Sequence, residues 1–144
     1  MADFKTALNK VLKWDAGYVN DPDDSGGETF AGVSRNNNRT WKGWALIDKH
    51  KVGIMLPQGL SRLNDKLFAD KELMNLVDDI YKTKYWDPIQ LDLITSQRVA
   101  EEIFDTAVNM GVGTAVKFAY EACGLPTSTK VTDELITTLV KIKS

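Results

Sequence analysis

The sequence lacks the residues that several classes of site require. Cys123 is the only cysteine among the 144 residues, so an intramolecular disulfide is excluded and the fold does not depend on an oxidising compartment. His50 is the only histidine, and one cysteine with one histidine makes neither a metal site nor a nucleophile pair. We therefore expect no metal and no cofactor.

Long apolar runs and an excess of one charge are missing as well. No run is long enough to span a membrane, and the first ten residues, MADFKTALNK, contain no apolar core of a signal peptide. The net charge of -2 argues against a dedicated nucleic-acid binder. We therefore expect a soluble protein that is made in the cytoplasm, does not insert into membranes and does not bind nucleic acid. We also expect it to be a monomer.

Helical periodicity dominates what is present. Apolar residues recur at helical spacing in seven segments: 4–12, about 41–50, 60–68, 73–85, 99–108, 115–122 and 135–140. Asp70 is a candidate N-cap for the fourth helix. Turn residues fill 19–28 and 35–40, and Thr29 to Ser34 are expected to form one arm of a small hairpin. The sequence predicts an all-α domain with a minor β-hairpin after the first helix.

Asp15 stands where the first helical pattern ends. At 100° per residue it lies about 20° from Phe4, on the same face as the apolar residues. The negative end of a helix and partial burial both disfavour a carboxylate, so both raise its pKa, as a general acid requires. The alternative is a frayed helix end with Asp15 pointing into water.

The loop after Asp15 is rich in acids and also allows more than one interpretation. Asp21, Asp23, Ser25 and Gly26 imitate half of a calcium-binding EF-hand loop, but Gly32 falls where that loop needs a glutamate. A plain turn is the simplest interpretation, because Asp and Gly are common turn residues. The functional interpretation pairs Asp24 with Asp15, since glycoside hydrolysis commonly uses two carboxylates on either side of the scissile bond. Thr29 would then hold a water molecule.

The segment WDAGYVNDPDDSGGETFAGVS, residues 14–34, resembles the signature of the N-acetylmuramidases of glycoside hydrolase family 108. Two later segments are also similar to the family: YWDPIQLDLI at 85–94, and FDTAVNMGVGTAV at 104–116, which resembles the start of a peptidoglycan-binding-like region. The spacing of Asp15, Asp24 and Thr29 is close to the Glu, Asp and Thr of phage-type lysozymes.

The resemblance implies a lysozyme-like helical domain, a division of the chain and a set of site residues. Residues 1–95 would form the muramidase region, and residues 96–144 a helical, peptidoglycan-binding-like region packed in the same globule. The expected catalytic residues are Asp15, Asp24 and Thr29, and the expected glycan-binding residues are Tyr18, Asn20, Asp21, Phe30 and Asn109.

The sequence departs from the family pattern in two places. The family's catalytic glutamate falls at position 15, where this chain has the shorter Asp15, whose carboxyl group would sit roughly 1 Å short of its target. The Asp-Gly-x-x-Gly turn common in peptidoglycan-binding modules is replaced by LPTSTKVTDELI, so residues 125–136 form helical scaffolding instead of a glycan site, or bind glycan without that turn.

The expected partner is peptidoglycan, and the expected reaction is cleavage of the β-1,4 bond between N-acetylmuramic acid and N-acetylglucosamine. Such an enzyme without a signal peptide fits a phage endolysin released through a holin-type membrane hole, or a bacterial enzyme with a dedicated secretion route. Two alternatives stay open: a non-catalytic peptidoglycan-binding protein derived from a muramidase, and a helical protein whose motif is only structural.

Overall fold

The structure is a computed structural model, which describes residues 1–12, 17–20, 23 and 27–142. The α-helices in these ranges are α1 Phe4–Leu12, α2 Gly43–Lys51, α3 Leu60–Ala69, α4 Lys71–Tyr81, α5 Gln97–Met110, α6 Val112–Ala122 and α7 Asp133–Val140. The strands in these ranges are β1 Tyr18–Asn20, β2 Glu28–Phe30 and β3 Val33–Ser34. The mostly helical class with a minor hairpin is confirmed.

The chain divides into two compact units, one of residues 12–80 and one of residues 1–11 with 81–144. The unit of residues 12–80 contains the small sheet with α2 and α3. Its core joins fully buried side chains from the sheet and the helices: Phe30, Ile47, Leu63, Leu67, Leu73 and Val77. The apolar positions that predicted the helices are therefore the ones that fill this core.

The sheet differs from the single hairpin arm predicted for Thr29 to Ser34. In the described residues β1, β2 and β3 form one antiparallel sheet in chain order. The chain reverses between β2 and β3 at Ala31 and Gly32, whose φ angles are 51° and 76°. Two successive positive φ angles define a type I′ turn, which suits the twist of a tight hairpin. The predicted arm is therefore wrong in detail, because the alanine in the turn gave no glycine-rich signal before Gly32.

The other unit packs aromatic rings around its helices. The ring of Phe4 meets the rings of Trp86 and Phe104 edge to face, at centroid distances of 5.4 and 5.8 Å. Trp86 is fully buried, and its indole Nε1 donates a hydrogen bond to Asp92 Oδ1 at 2.7 Å. The buried ring thus keeps a partner for its only polar atom, as buried tryptophan usually does.

The predicted helix over 73–85 is continuous but changes its geometry. Residues 71–81 are α-helical, and Lys82–Trp86 form a π-helical turn that is followed by 3-10 turns at Asp87–Ile89 and Leu91–Leu93. The segment around Pro88 therefore ends the helix, as expected of a proline. Among the described residues no helix is long and apolar enough to cross a membrane. The boundary at residue 95 between a hydrolase region and a C-terminal region stays a prediction.

The predicted N-cap at Asp70 is confirmed. Its Oδ1 accepts a hydrogen bond from the Leu73 backbone N at 3.1 Å, and its Oδ2 lies 2.9 Å from His50 Nε2. The His50 hydrogen bond, followed by that from Leu73, lowers the pKa of Asp70 below its ordinary 3.8. Asp70 is therefore ionised at neutral pH, where it binds both partners.

We expect Asp70→Ala to lower the free energy of unfolding at pH 7 by about 1 kcal/mol, the usual contribution of an N-cap. Asp70→Ser should recover most of the loss, because its hydroxyl also caps. Since the folded pKa is lowered, the contribution of the charge is complete above 3.8 and is lost as pH falls through the folded value. Urea unfolding at pH 7 and below pH 3.8 measures both effects. Equal unfolding free energies for wild type and Asp70→Ala at pH 7 would contradict the capping role.

Candidate active site

The register of β1 and β2 decides which residues of the signature segment lie together. Tyr18 pairs with Phe30, Val19 with Thr29 and Asn20 with Glu28. Side chains alternate between the faces of a strand, so Tyr18, Asn20, Glu28 and Phe30 share one face. Residues directly opposite each other have Cβ atoms about 4.5–5.5 Å apart. The sheet therefore brings Glu28 beside both Tyr18 and Asn20.

Tyr18 is held at both its backbone and its side chain. Its backbone N donates to Asn64 Oδ1 at 3.0 Å, which ties the start of β1 to α3. Its ring is buried, with 2% of its surface exposed, and its hydroxyl donates a hydrogen bond to Glu28 Oε2. Burial, and then the bond to Glu28, raises the pKa of Tyr18, so the phenol keeps its proton. Tyr18 is thus a fixed donor within the fold.

Glu28 is the centre of a network of charges. Lys51 Nζ donates to Glu28 Oε2 at 2.7 Å, and Arg35 Nη1 donates to Glu28 Oε1 at 3.2 Å. Arg35 also makes a bidentate pair with Asp48, in which both N···O distances are 2.7 Å. Asp48 and Lys51 are three residues apart and so lie on one face of α2. Two acids and two bases therefore neutralise each other between the sheet and α2.

The network fixes the charge of Glu28. Burial raises the pKa of its carboxyl group, but the hydrogen bonds from Lys51 and Tyr18 and the charges of Lys51 and Arg35 outweigh burial and bring it below 4.5. The pKa of Lys51 is raised, because its bonds to Glu28 and Tyr18 outweigh its own burial. Glu28 is consequently an anion at neutral pH. It suits a hydrogen-bond acceptor and does not suit a general acid.

A groove of about 410 Å³ opens beside β1. It is lined by Tyr18, Val19, Asn20, Leu56, Pro57 and Leu60. Its aliphatic side comes from the loop between α2 and α3, where Gly59 lets the chain pass close to itself. A Cβ at position 59 would lie 2.5 Å from Ile54 Cγ2 and 3.0 Å from the Met55 carbonyl oxygen. The groove thus combines an aliphatic wall with one amide side chain, as many ligand pockets do.

The chain matches one family model, described as glycosyl hydrolase 108, over residues 8–111. The chain belongs to this family. No curated protein sequence matches it. Among solved structures it is similar to the one titled "Structure of Brucella abortus SagA", with 21% sequence identity and a TM-score of 0.62. That match covers 97% of this chain and 70% of the other. At this identity the likeness shows the fold, and the family match identifies the chain as a member of a glycosidase family.

Three of the predicted site residues of this family 108 member lie outside the described residues: Asp15, Asp21 and Asp24. Tyr18 and Asn20 do line one groove, and Thr29 is half-buried on the neighbouring strand, opposite Val19.

Two other predicted glycan contacts lie in different surroundings. Phe30 is fully buried with its ring 5.4 Å from that of Phe68, so it offers no exposed surface to glycan. Asn109 is exposed near the end of α5, in the unit of residues 1–11 and 81–144, and its Nδ2 donates to the Asp105 carbonyl oxygen at 3.0 Å. Its part in glycan binding stays a prediction.

Sequence reasoning missed Glu28, Lys51 and the aliphatic wall of the groove. Glu28 sits between Gly27 and Thr29 in the signature itself, and a charged residue at an inward position of a short strand is the signal that would have found it. Lys51 and Leu56 carry no such signal, because lysine at a helix end and leucine in a loop are common. In the part of the chain that the structure describes, no three His, Cys, Asp or Glu side chains are grouped to hold a metal ion.

Proposed function

We propose that the protein is an N-acetylmuramidase that cleaves the β-1,4 bond between N-acetylmuramic acid and N-acetylglucosamine in peptidoglycan. The observation that carries the proposal is the groove beside β1, because two residues of the family-like signature, Tyr18 and Asn20, line it together. An amide side chain beside apolar walls suits a sugar that carries both hydroxyl and N-acetyl groups. Family membership supports a glycosidase that acts on the cell wall.

In the proposed mechanism Asp15 protonates the leaving glycosidic oxygen. Its position follows the last described residue of α1, Leu12, by three residues, and precedes the anchored Tyr18 by three. Asp24 belongs to the connection between β1 and β2, where it would activate water or stabilise the oxocarbenium-like state. Thr29 would help to hold the water. The division of roles follows the two-carboxylate chemistry of glycoside hydrolases and needs no cofactor.

The substrate sets where the protein would work. Peptidoglycan lies outside the cytoplasmic membrane, so the proposed activity places the working enzyme at the cell wall. Release through a holin-type hole, as for a phage endolysin, or by a dedicated secretion route would bring it there. We propose that it acts as a monomer on glycan strands.

One observation favours a second candidate function. Asp15 stands where the resemblance places a glutamate, and a carboxyl group displaced by roughly 1 Å lowers a rate by about a hundredfold. A peptidoglycan-binding protein that kept the groove and lost turnover is therefore the alternative. It would bind purified sacculi in a pull-down assay and release no reducing ends.

Purified sacculi digested with the protein should yield muropeptides that end in new reducing N-acetylmuramic acid. Borohydride reduction before hydrolysis converts these ends to muramitol, which mass spectrometry identifies, and Asp15→Asn is the inactive control. New reducing N-acetylglucosamine ends would assign a glucosaminidase instead. Free peptides with intact glycan would assign an amidase.

A further inference from the structure

Glu28 adjoins two of the residues that line the groove without being one of the lining residues itself. It accepts the hydrogen bond of the Tyr18 hydroxyl, and it is the cross-strand partner of Asn20. Tyr18 and Asn20 both line the groove. One carboxylate therefore adjoins both of the polar residues that β1 contributes to the groove.

Stability alone is a weak reason for this arrangement. The side chains of Glu28 and Lys51 are only 18% and 29% exposed, and a mostly buried ion pair often stabilises a fold no better than apolar side chains of the same size. The pair has a more specific effect on Tyr18. Lys51 Nζ lies 2.7 Å from Glu28 Oε2 and 5.4 Å from the centre of the Tyr18 ring. It keeps the acceptor ionised, and hydrogen bonds to ionised acceptors are the stronger ones.

We infer that Glu28 is a positioning residue for glycan binding, which fixes the Tyr18 ring and the facing Asn20 in the geometry of the groove, with Lys51 holding its charge. This inference rests on the proposed function. The Tyr18 hydroxyl is then used within the protein and its ring is buried, so Tyr18 shapes the groove wall, while the exposed Asn20 supplies the polar contact to the sugar. Glu28 contacts no reacting atom in the proposed mechanism and is therefore not a catalytic residue.

Binding of a peptidoglycan tetrasaccharide of alternating N-acetylglucosamine and N-acetylmuramic acid tests the inference without turnover. The full chain carries Asp15→Asn as background, and isothermal titration gives the Kd. We expect Glu28→Ala and Tyr18→Phe each to raise the Kd by about tenfold, because the groove residues are no longer held in their binding geometry before the sugar arrives. The double variant should bind about as weakly as either single variant, because both remove the same bond.

Glu101→Ala is the matched control. Glu101 is 16% exposed and accepts from Lys10 Nζ at 2.6 Å and from Gln97 Nε2 at 2.8 Å, so it resembles Glu28 in burial and pairing. It lies in the other unit of the chain. Its loss should lower the melting temperature about as much as the loss of Glu28, and should leave the Kd unchanged. Glu28→Gln, which keeps an acceptor for Tyr18, should bind better than Glu28→Ala.

The outcomes separate the inference from the function on which it rests. If the Asp15→Asn protein binds the tetrasaccharide and the Glu28 and Tyr18 variants bind it equally well, Glu28 is only structural and the inference is overturned alone. If the Asp15→Asn protein binds no tetrasaccharide, the proposed function and the inference fail together. If Glu28→Ala does not fold, Glu28→Gln and Tyr18→Phe still test the inference, because each new side chain is nearly isosteric with the one that it replaces.

Discussion

Replacing Asp15 by glutamate is expected to raise the rate of sacculus lysis by about a hundredfold, and at least by about tenfold. The added methylene extends the carboxyl group by roughly 1 Å, which is the distance by which aspartate falls short of the glycosidic oxygen in the proposed mechanism. General acid catalysis requires the acid within hydrogen-bond reach of the atom that it protonates. The assay is the release of reducing ends from sacculi by Asp15→Glu and the wild type at equal concentration.

Asp15→Asn completes the comparison. The amide is nearly isosteric with the acid but has no acidic proton to give to the leaving group, so the remaining activity should vanish while the melting temperature barely changes. Three proteins of equal stability with ordered activities, Asn below Asp below Glu, would support the general acid. Equal activity in all three would identify Asp15 as an ordinary helix-end residue and would remove the catalytic interpretation of this segment.

The helices could be predicted because the apolar residues that face the core recur at helical spacing. Leu63 and Leu67 in α3, and Ala100, Phe104 and Ala107 in α5, recur at three or four residues and are all fully buried. The Asp70 cap could also be predicted, because its hydrogen bond reaches a residue only three positions along the chain. Local periodicity therefore gave both the fold class and most helix bounds.

The short strands were harder to predict because their partners are set by pairing across the sheet. Residues 19–28 were predicted as a turn because most of them are Asn, Asp, Pro, Ser or Gly. Residues 18–20 nevertheless form β1, because Asn64 anchors the backbone at Tyr18 and β2 supplies the ladder. The π-helical turn over 82–86 likewise carries no periodic signal of its own. Both depend on contacts between residues that are distant in sequence or on local geometry.

The candidate site, too, could be predicted only in part from the sequence. Tyr18 and Asn20 were predicted from a resemblance, and the structure places both at one groove. Glu28 and Lys51 are 23 residues apart and meet only through the packing of β2 and α2, so their pairing could not be predicted from the sequence. Phe30 was expected at the glycan, but its ring is fully buried against that of Phe68, a packing contact between residues 38 positions apart that the sequence does not indicate.

Asp24→Asn is expected to lower kcat on sacculi by about a hundredfold to ten-thousandfold, the usual contribution of a general base. KM should change little, because the amide keeps the size and most of the polarity of the side chain. Asp23→Asn is the matched control, since it removes the neighbouring charge of the same loop and Asp23 is exposed. Equal kcat in the two variants would leave Asp24 without a catalytic role.

The same pair of carboxylates predicts the stereochemistry of the product. A gap of about 5 Å between the two carboxyl groups favours a covalent, retaining route, whereas a gap of about 6.5–9.5 Å leaves room for a water and gives inversion. Because Asp15 is shorter than the family's glutamate, it widens the gap, so we expect inversion. Proton NMR of a soluble tetrasaccharide digest should then show the α-anomer of the new reducing end first, before mutarotation. First appearance of the β-anomer would instead require a nucleophile close to the sugar, and would reassign Asp24 from activating water to attacking the sugar itself.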